Sequence, residues 1–370
     1  PIVKTINMYK GVVPFILLQL AGLTIVGFYP ALVNYLPAKV YLTSETAPPP
    51  KNPRLQYCLD RYLFSQYEQR SGSIQQSISM VKNLNVSYLP SKYQSDLEKS
   101  FVSAENTFSL VEKVQEAEKK VLKHIPRYET LHRKVRDLRV ESSSIDRKIT
   151  ALKKDIQALS KDDTVRITKL EKEITALQRR RKSVASHMPD AYAEARKVYI
   201  SLRKIEKKAR KTYHRNVDDA YEPVQELLKL ISSAGGLEPL RTQIENLKQV
   251  IEYESGPDAL VKFKRVSKSI RAIPGTSHIN SKISQARRMM RGAQPKREHA
   301  ANELKHALKR LTAEKSWRLR AAKELSRPLT TYDLAIRDTI GLRLQERLSD
   351  VQADAIASCQ AEHRDISLDF

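Results

Sequence analysis

The sequence predicts a mainly α protein: one transmembrane helix followed by an extended helical and coiled-coil tail. Three observations predict it. From Gly11 to Ala38 there is no Asp, Glu, Lys, Arg or His. Beyond that run the composition is poor in Gly and Phe and rich in Lys, Arg, Glu, Leu and Ala, the usage of long helices and coiled coil. Finally, apolar residues in the centre of the chain recur at strict 3-4 spacing.

The apolar stretch Val12–Leu36 exceeds the roughly 20 residues needed to cross a bilayer core, so the spacing predicts a transmembrane helix over about 12–36 within a membrane segment 1–43. Pro14 is expected in its first turn, and Pro30 is expected to kink or end it. Lys10 and Lys39 bracket the span. The chain starts at Pro1 and is read as a processed form or a piece of something larger. A signal peptide or a buried soluble helix are the competing readings of the same run.

Residues 44–56 hold four prolines and no apolar periodicity, which predicts a stiff, extended linker. The remainder divides into a helical segment 57–125, a coiled coil or helical hairpin 126–188, a basic helical region 189–291 and C-terminal helices 292–370. Ser71-Gly72-Ser73, Pro90, Pro126, Pro189, Pro223, Gly235-Gly236, Gly256-Pro257, Pro274-Gly275, Gly292 with Pro295, and Pro328 are expected to punctuate the helices.

The coiled-coil seam is read as Val135, Leu138, Ile145, Ile149, Leu152, Ile156 and Leu159, interrupted by Ser142, then Ile167, Leu170, Ile174 and Leu177. β-Branched residues fall mainly at a and Leu mainly at d, which favours two strands. Lys161-Asp162-Asp163-Thr164 lies between the runs and offers helix-capping residue types. Either the runs fold back as an antiparallel hairpin about this turn, or one continuous helix pairs with a second chain. Self-association through the coil is expected in the second case.

The formal net charge is +24. Arg203–Arg215 holds seven Lys or Arg against one Glu, and Val261–Arg271 holds five with no acid. Such faces keep helices solvated, and they also attract anionic lipid or an acidic partner. Nucleic acid is disfavoured, because aromatic content is low and no finger, RRM or helix-turn-helix signature is present. No phosphate-cradling, dinucleotide, nucleophile-elbow or zinc-protease motif occurs, so no enzyme, no catalytic residue, no cofactor and no metal are expected. Two Glu-x-x-His pairs, Glu129/His132 and Glu303/His306, match half of a di-metal pattern, but Glu129 and His132 fall off the heptad seam. Trp317 is read as a packing anchor in a helix over 295–326. Cys58 and Cys359 are read as unpaired thiols, consistent with a reducing compartment.

The string Met8-Tyr9-Lys10-Gly11-Val12-Val13-Pro14-Phe15, then Phe28-Tyr29-Pro30, then Tyr35-Leu36-Pro37, resembles the last transmembrane helix of the large permease subunit of tripartite ATP-independent periplasmic (TRAP) transporters. The resemblance covers about forty residues. It implies sodium-coupled uptake of small organic acids at a bacterial inner (cell) membrane, with the bilayer, a small permease subunit and a periplasmic solute-binding protein as partners. It also implies a cytoplasmic tail for tethering or oligomerisation. The transport sites of that family lie in earlier helices, so the resemblance carries no site residue onto this chain. An independent membrane-anchored structural coiled coil is the alternative reading.

Overall fold

A computed structural model of the chain describes residues 5–29, 31–44, 53–160, 163–254, 256–291 and 294–362. The fold is mainly α. Among the described residues there are twelve α-helices and no strand: α1 Thr5–Phe28, α2 Ala31–Thr43, α3 Pro53–Lys82, α4 Ser91–Ala158, α5 Thr164–Ser186, α6 Ala191–Ser232, α7 Glu238–Tyr253, α8 Gly256–Arg271, α9 Ser277–Met289, α10 Arg297–Glu324, α11 Ser326–Ile336 and α12 Asp350–Glu362. They form two compact units. Among the described residues the first comprises those up to Phe108 and again 214–362, and the second comprises Ser109–Tyr213, so α4 and α6 contribute to both.

The expected transmembrane helix over about 12–36 is corrected. Among the described residues no helix is long and apolar enough to cross a membrane. The apolar run is divided, because α1 stops at Phe28 and α2 starts at Ala31. In α2, the Tyr35 hydroxyl donates to Asp354 at 3.1 Å and Lys39 pairs with Asp354 at 2.8 Å. A segment held to α12 by these polar contacts is not the far half of a span. The inner-membrane location and the membrane, transport, TRAP and permease assignments that rested on the span are corrected with it. Val12, Phe15, Leu18, Leu23 and Phe28 of α1 are exposed.

The free-thiol reading is corrected as well. Cys58 and Cys359 form a disulfide across a sequence separation of 301. The bond ties α3 to α12, so the thiol argument for a cytoplasmic tail is gone.

Amphipathic spacing builds the core of the first unit. Leu240, Ile244, Leu247 and Ile251 on α7 meet Phe263, Val266 and Ile270 on α8, Ile279 and Ile283 on α9, and Ala300, Leu304, Ala307 and Leu311 on α10. The basic run Val261–Arg271 is thereby explained: Phe263, Val266 and Ile270 face inward while Val261, Lys262, Lys264, Arg265 and Lys268 are exposed. Arg318, fully buried, cross-links this unit. Its guanidinium donates to Glu314 at 2.8 Å, to the Ser233 hydroxyl at 2.8 Å and to the Pro274 carbonyl at 2.9 Å. Gly275 follows at φ +77°, where a Cβ would lie 2.7 Å from Arg318 Nη2 and 2.5 Å from Leu230. Buried Asp60 on α3 accepts from His214 Nε2 at 2.9 Å through each carboxylate oxygen. Trp317 packs on Tyr93 with ring centroids 5.4 Å apart.

In the second unit α4 and α5 fold back on each other. Arg180 reaches Glu141 at 2.8 Å and Arg181 reaches Asp146 at 3.1 Å across the pair. Ile145, Ile149, Ile174 and Val184 are buried between these helices, with Leu138, Leu152, Ile156 and Leu177 packed around them. Leu159, Ile167 and Leu170 are half-buried toward the turn. After a break at Met188 and Pro189, α6 pairs with the earlier part of α4. Val121, Tyr128 and Val135 there meet Tyr192, Ala195 and Tyr199.

Several expected breakpoints are absent. Pro126 lies inside α4 and Pro223 inside α6, while Ser71-Gly72-Ser73 runs through α3; Pro14, expected in a first turn, lies well inside α1. A helix-interior proline costs about 3 kcal/mol; at Pro126 and Pro223 the burial of Val121 and Tyr128, and of Tyr221 and Val224, on the flanking turns offsets that cost. Pro30, most of the linker at 45–52, Lys161, Asp162 and Gly292 lie outside the described residues.

Candidate functional site

The second unit concentrates charge. Ser109–Tyr213 carries 29 Lys and Arg against 15 Asp and Glu, so it holds +14 of the chain's +24. Its apolar seam is consumed by packing, which leaves the charged faces outward.

At its centre, helical spacing on α4 stacks Tyr128, His132 and Val135 on one side, opposite Tyr192 and Tyr199 of α6. Tyr128 stacks on Tyr199 with ring centroids 4.4 Å apart, and on Tyr192 at 6.1 Å. His132 Nδ1 lies 3.3 Å from the Tyr128 hydroxyl and 3.2 Å from that of Tyr192. A neutral imidazole protonated on Nε2 presents one lone pair at Nδ1, which accepts from one of the two phenols at a time. Burial, reinforced by Arg136, Arg139 and Arg196, lowers the His132 pKa. Burial and the hydrogen bond with Tyr192 push the Tyr128 phenol up to about 12. Both groups therefore stay neutral near pH 7. They form a rigid aromatic floor.

Above that floor runs a groove of about 280 Å³ lined by His132, Val135, Arg136, Arg139, Val140, Ser143 and Arg147. These positions recur at helical intervals and make one stripe along α4. Arg136, Arg139 and Arg147 are exposed, and Arg139 sits over the Tyr192 ring at 5.8 Å. The stripe combines cations with an exposed Val140. Its chemistry suits docking of an anionic, partly apolar surface.

The first unit holds a polar cavity of about 600 Å³ lined by Tyr221, Gln225, Arg337, Gln345 and Arg347 among others. Asp333, buried behind it, accepts from the Tyr221 hydroxyl at 2.7 Å and from Gln225 and Arg337. Gln345 donates to the Tyr221 oxygen at 3.0 Å. Burial and the Asp333 bond push the Tyr221 phenol up to about 12. The carboxylate is committed to three donors and the phenol keeps its proton, so neither serves as a base or nucleophile at neutral pH. This network braces α6 against α11.

The residues carrying the permease resemblance are not brought into one site. Pro14 and Phe15 lie on α1 and Leu36 and Pro37 on α2, all exposed, while Tyr29 is exposed between the two helices. The side chains of Tyr9, Lys10 and Gly11 lie outside the described residues. The Glu-x-x-His pairs do not converge. Glu129 pairs with Arg133, Glu303 pairs with Lys282 at 2.9 Å, and His132 is buried in the tyrosine cluster. Among the described residues no group of three His, Cys, Asp or Glu is placed to hold a metal. The sequence reading missed the tyrosines. Their one local signal was Tyr128 four residues before His132.

No family model, curated protein or solved structure matches the chain. The described residues make it a mainly α protein.

Proposed function

We propose that the chain is a non-catalytic binding protein whose basic α4 stripe docks an acidic, helical protein partner. The groove of Arg136, Arg139 and Arg147 over the tyrosine floor is the observation that carries this reading. Its spacing of three and eight residues along one helix face matches the periodicity of a partner helix. The exposed Val140 supplies an apolar contact that a phosphate backbone would not use. The tyrosine and isoleucine seams are filled from within the chain. This supports docking on the outer face over self-association through the seam.

The test is a titration of the full chain with a Glu-rich amphipathic helical peptide and, separately, with duplex DNA of equal charge. The peptide is expected to bind more tightly at about 0.15 M salt. DNA binding that is tighter, with a steep salt slope, would replace this reading with a nucleic-acid one.

A further inference from the structure

The C-terminal end of α3 and the start of α11 enclose a second cavity in the first unit, of about 300 Å³. Its walls are Met80, Val81 and Leu84 from the α3 side and Pro328 from α11, with Ser77, Arg327 and Thr331 at the edge. Met80 is 54% exposed. A flexible thioether at an apolar rim adapts to the shape of a guest.

Tyr332 lines the same cavity and is 1% exposed. Its ring is fixed edge-on against Phe101 with centroids 5.8 Å apart. Its hydroxyl is buried and makes no hydrogen bond among the described residues. Burial, with the charge of Glu105, holds the phenol well above its usual pKa, so it remains a donor. A buried donor without an acceptor costs about 1–3 kcal/mol. A side chain packed only for its ring would be Phe. The volume is about twice that of a cavity that accepts benzene, and it sits at the lower bound for ligand pockets.

We infer that this cavity is a binding site for a small apolar molecule of one or two fused rings bearing a single hydrogen-bond acceptor, which the Tyr332 hydroxyl receives. The acceptor sits at the buried end and the hydrocarbon lies along Val81, Leu84 and Pro328. Nothing in this site depends on the basic hairpin.

The experiment is calorimetric titration of the full chain with 1-indanone and with indane, which share a ring system and differ in the carbonyl. The wild type is expected to bind indanone about tenfold more tightly than indane. Tyr332→Phe, which keeps the ring, is expected to bring indanone to the affinity of indane. It should leave the unfolding midpoint unchanged or raise it. Ser77→Phe, which fills the cavity from an exposed helix, is expected to abolish binding of both. Equal affinities in the wild type, indanone binding unaffected by Tyr332→Phe, binding retained in Ser77→Phe, or no binding of either compound would each overturn the inference.

Discussion

Cys58 and Cys359 are joined by a disulfide with their Cα atoms 5.6 Å apart, which makes one loop of almost the whole chain. Cross-linking distant positions restricts the unfolded ensemble, by about 2–5 kcal/mol for typical native bonds. Reduction, or Cys58→Ala, is expected to lower the urea midpoint accordingly. Oxidised protein should also migrate faster than reduced protein on a denaturing gel. Equal midpoints and equal mobility would show that the bond does not form in solution.

Acid should loosen the second unit through His132. Its folded pKa is lowered by burial and by Arg136, Arg139 and Arg196. As pH falls through about 6.5, the unfolded chain therefore takes up a proton that the folded chain refuses. Stability is full above that pH and declines below it, until the lowered folded pKa is reached. His132→Asn should flatten this part of the profile while leaving the remaining acid titration in place. A variant with the same slope as wild type between pH 6.5 and 5 would contradict the assignment.

Arg318 should tolerate no truncation. Glu314, Ser233 and the Pro274 carbonyl all depend on its guanidinium. Arg318→Met leaves a buried carboxylate with its main partner gone, at a cost of about 3–5 kcal/mol. Gly275→Ala is expected to destabilise in the same region, because a Cβ at φ +77° would press on Leu230 and Arg318. Chemical unfolding of both variants checks this. A loss under about 1 kcal/mol for Arg318→Met would refute the bracing role.

Much of the architecture was legible in the sequence. The run from Leu138 to Leu177 read as helix and seam, because heptad spacing is a local property, while fold-back and a continuous coil both stayed compatible with it. The buried faces of α7 to α10 follow the same rule, with Leu240, Ile244 and Leu247 as the plainest case. What stayed hidden depends on long-range closure. Nothing near Cys58 announces Cys359, and nothing near Tyr35 announces Asp354. The apolar count over 12–36 was correct as a count, yet it could not show that the run is divided at Tyr29 and that its later part packs on α12. Pro126 and Pro223 misled for a related reason: packing partners, absent from local sequence, decide whether a helix continues through proline. The candidate groove was not legible in advance. The basic runs read from the sequence, Arg203–Arg215 and Val261–Arg271, lie outside it, so its arginines contributed only to the net charge, and the tyrosine floor needed α6 to be laid against α4.

The central claim is that Arg136, Arg139 and Arg147 act as one docking stripe. It is tested most directly by reversing all three to Glu and titrating the full chain with the acidic helical peptide at about 0.15 M salt. Exposed charge pairs are worth about 0.2–1 kcal/mol each, and reversal turns attraction into repulsion. Affinity is expected to fall at least about tenfold, with helical content unchanged by circular dichroism. A control reversing Lys262, Lys264 and Lys268, on the exposed face of α8, should lose much less. Equal losses in the two variants would contradict a localised stripe and reduce the binding to net charge alone.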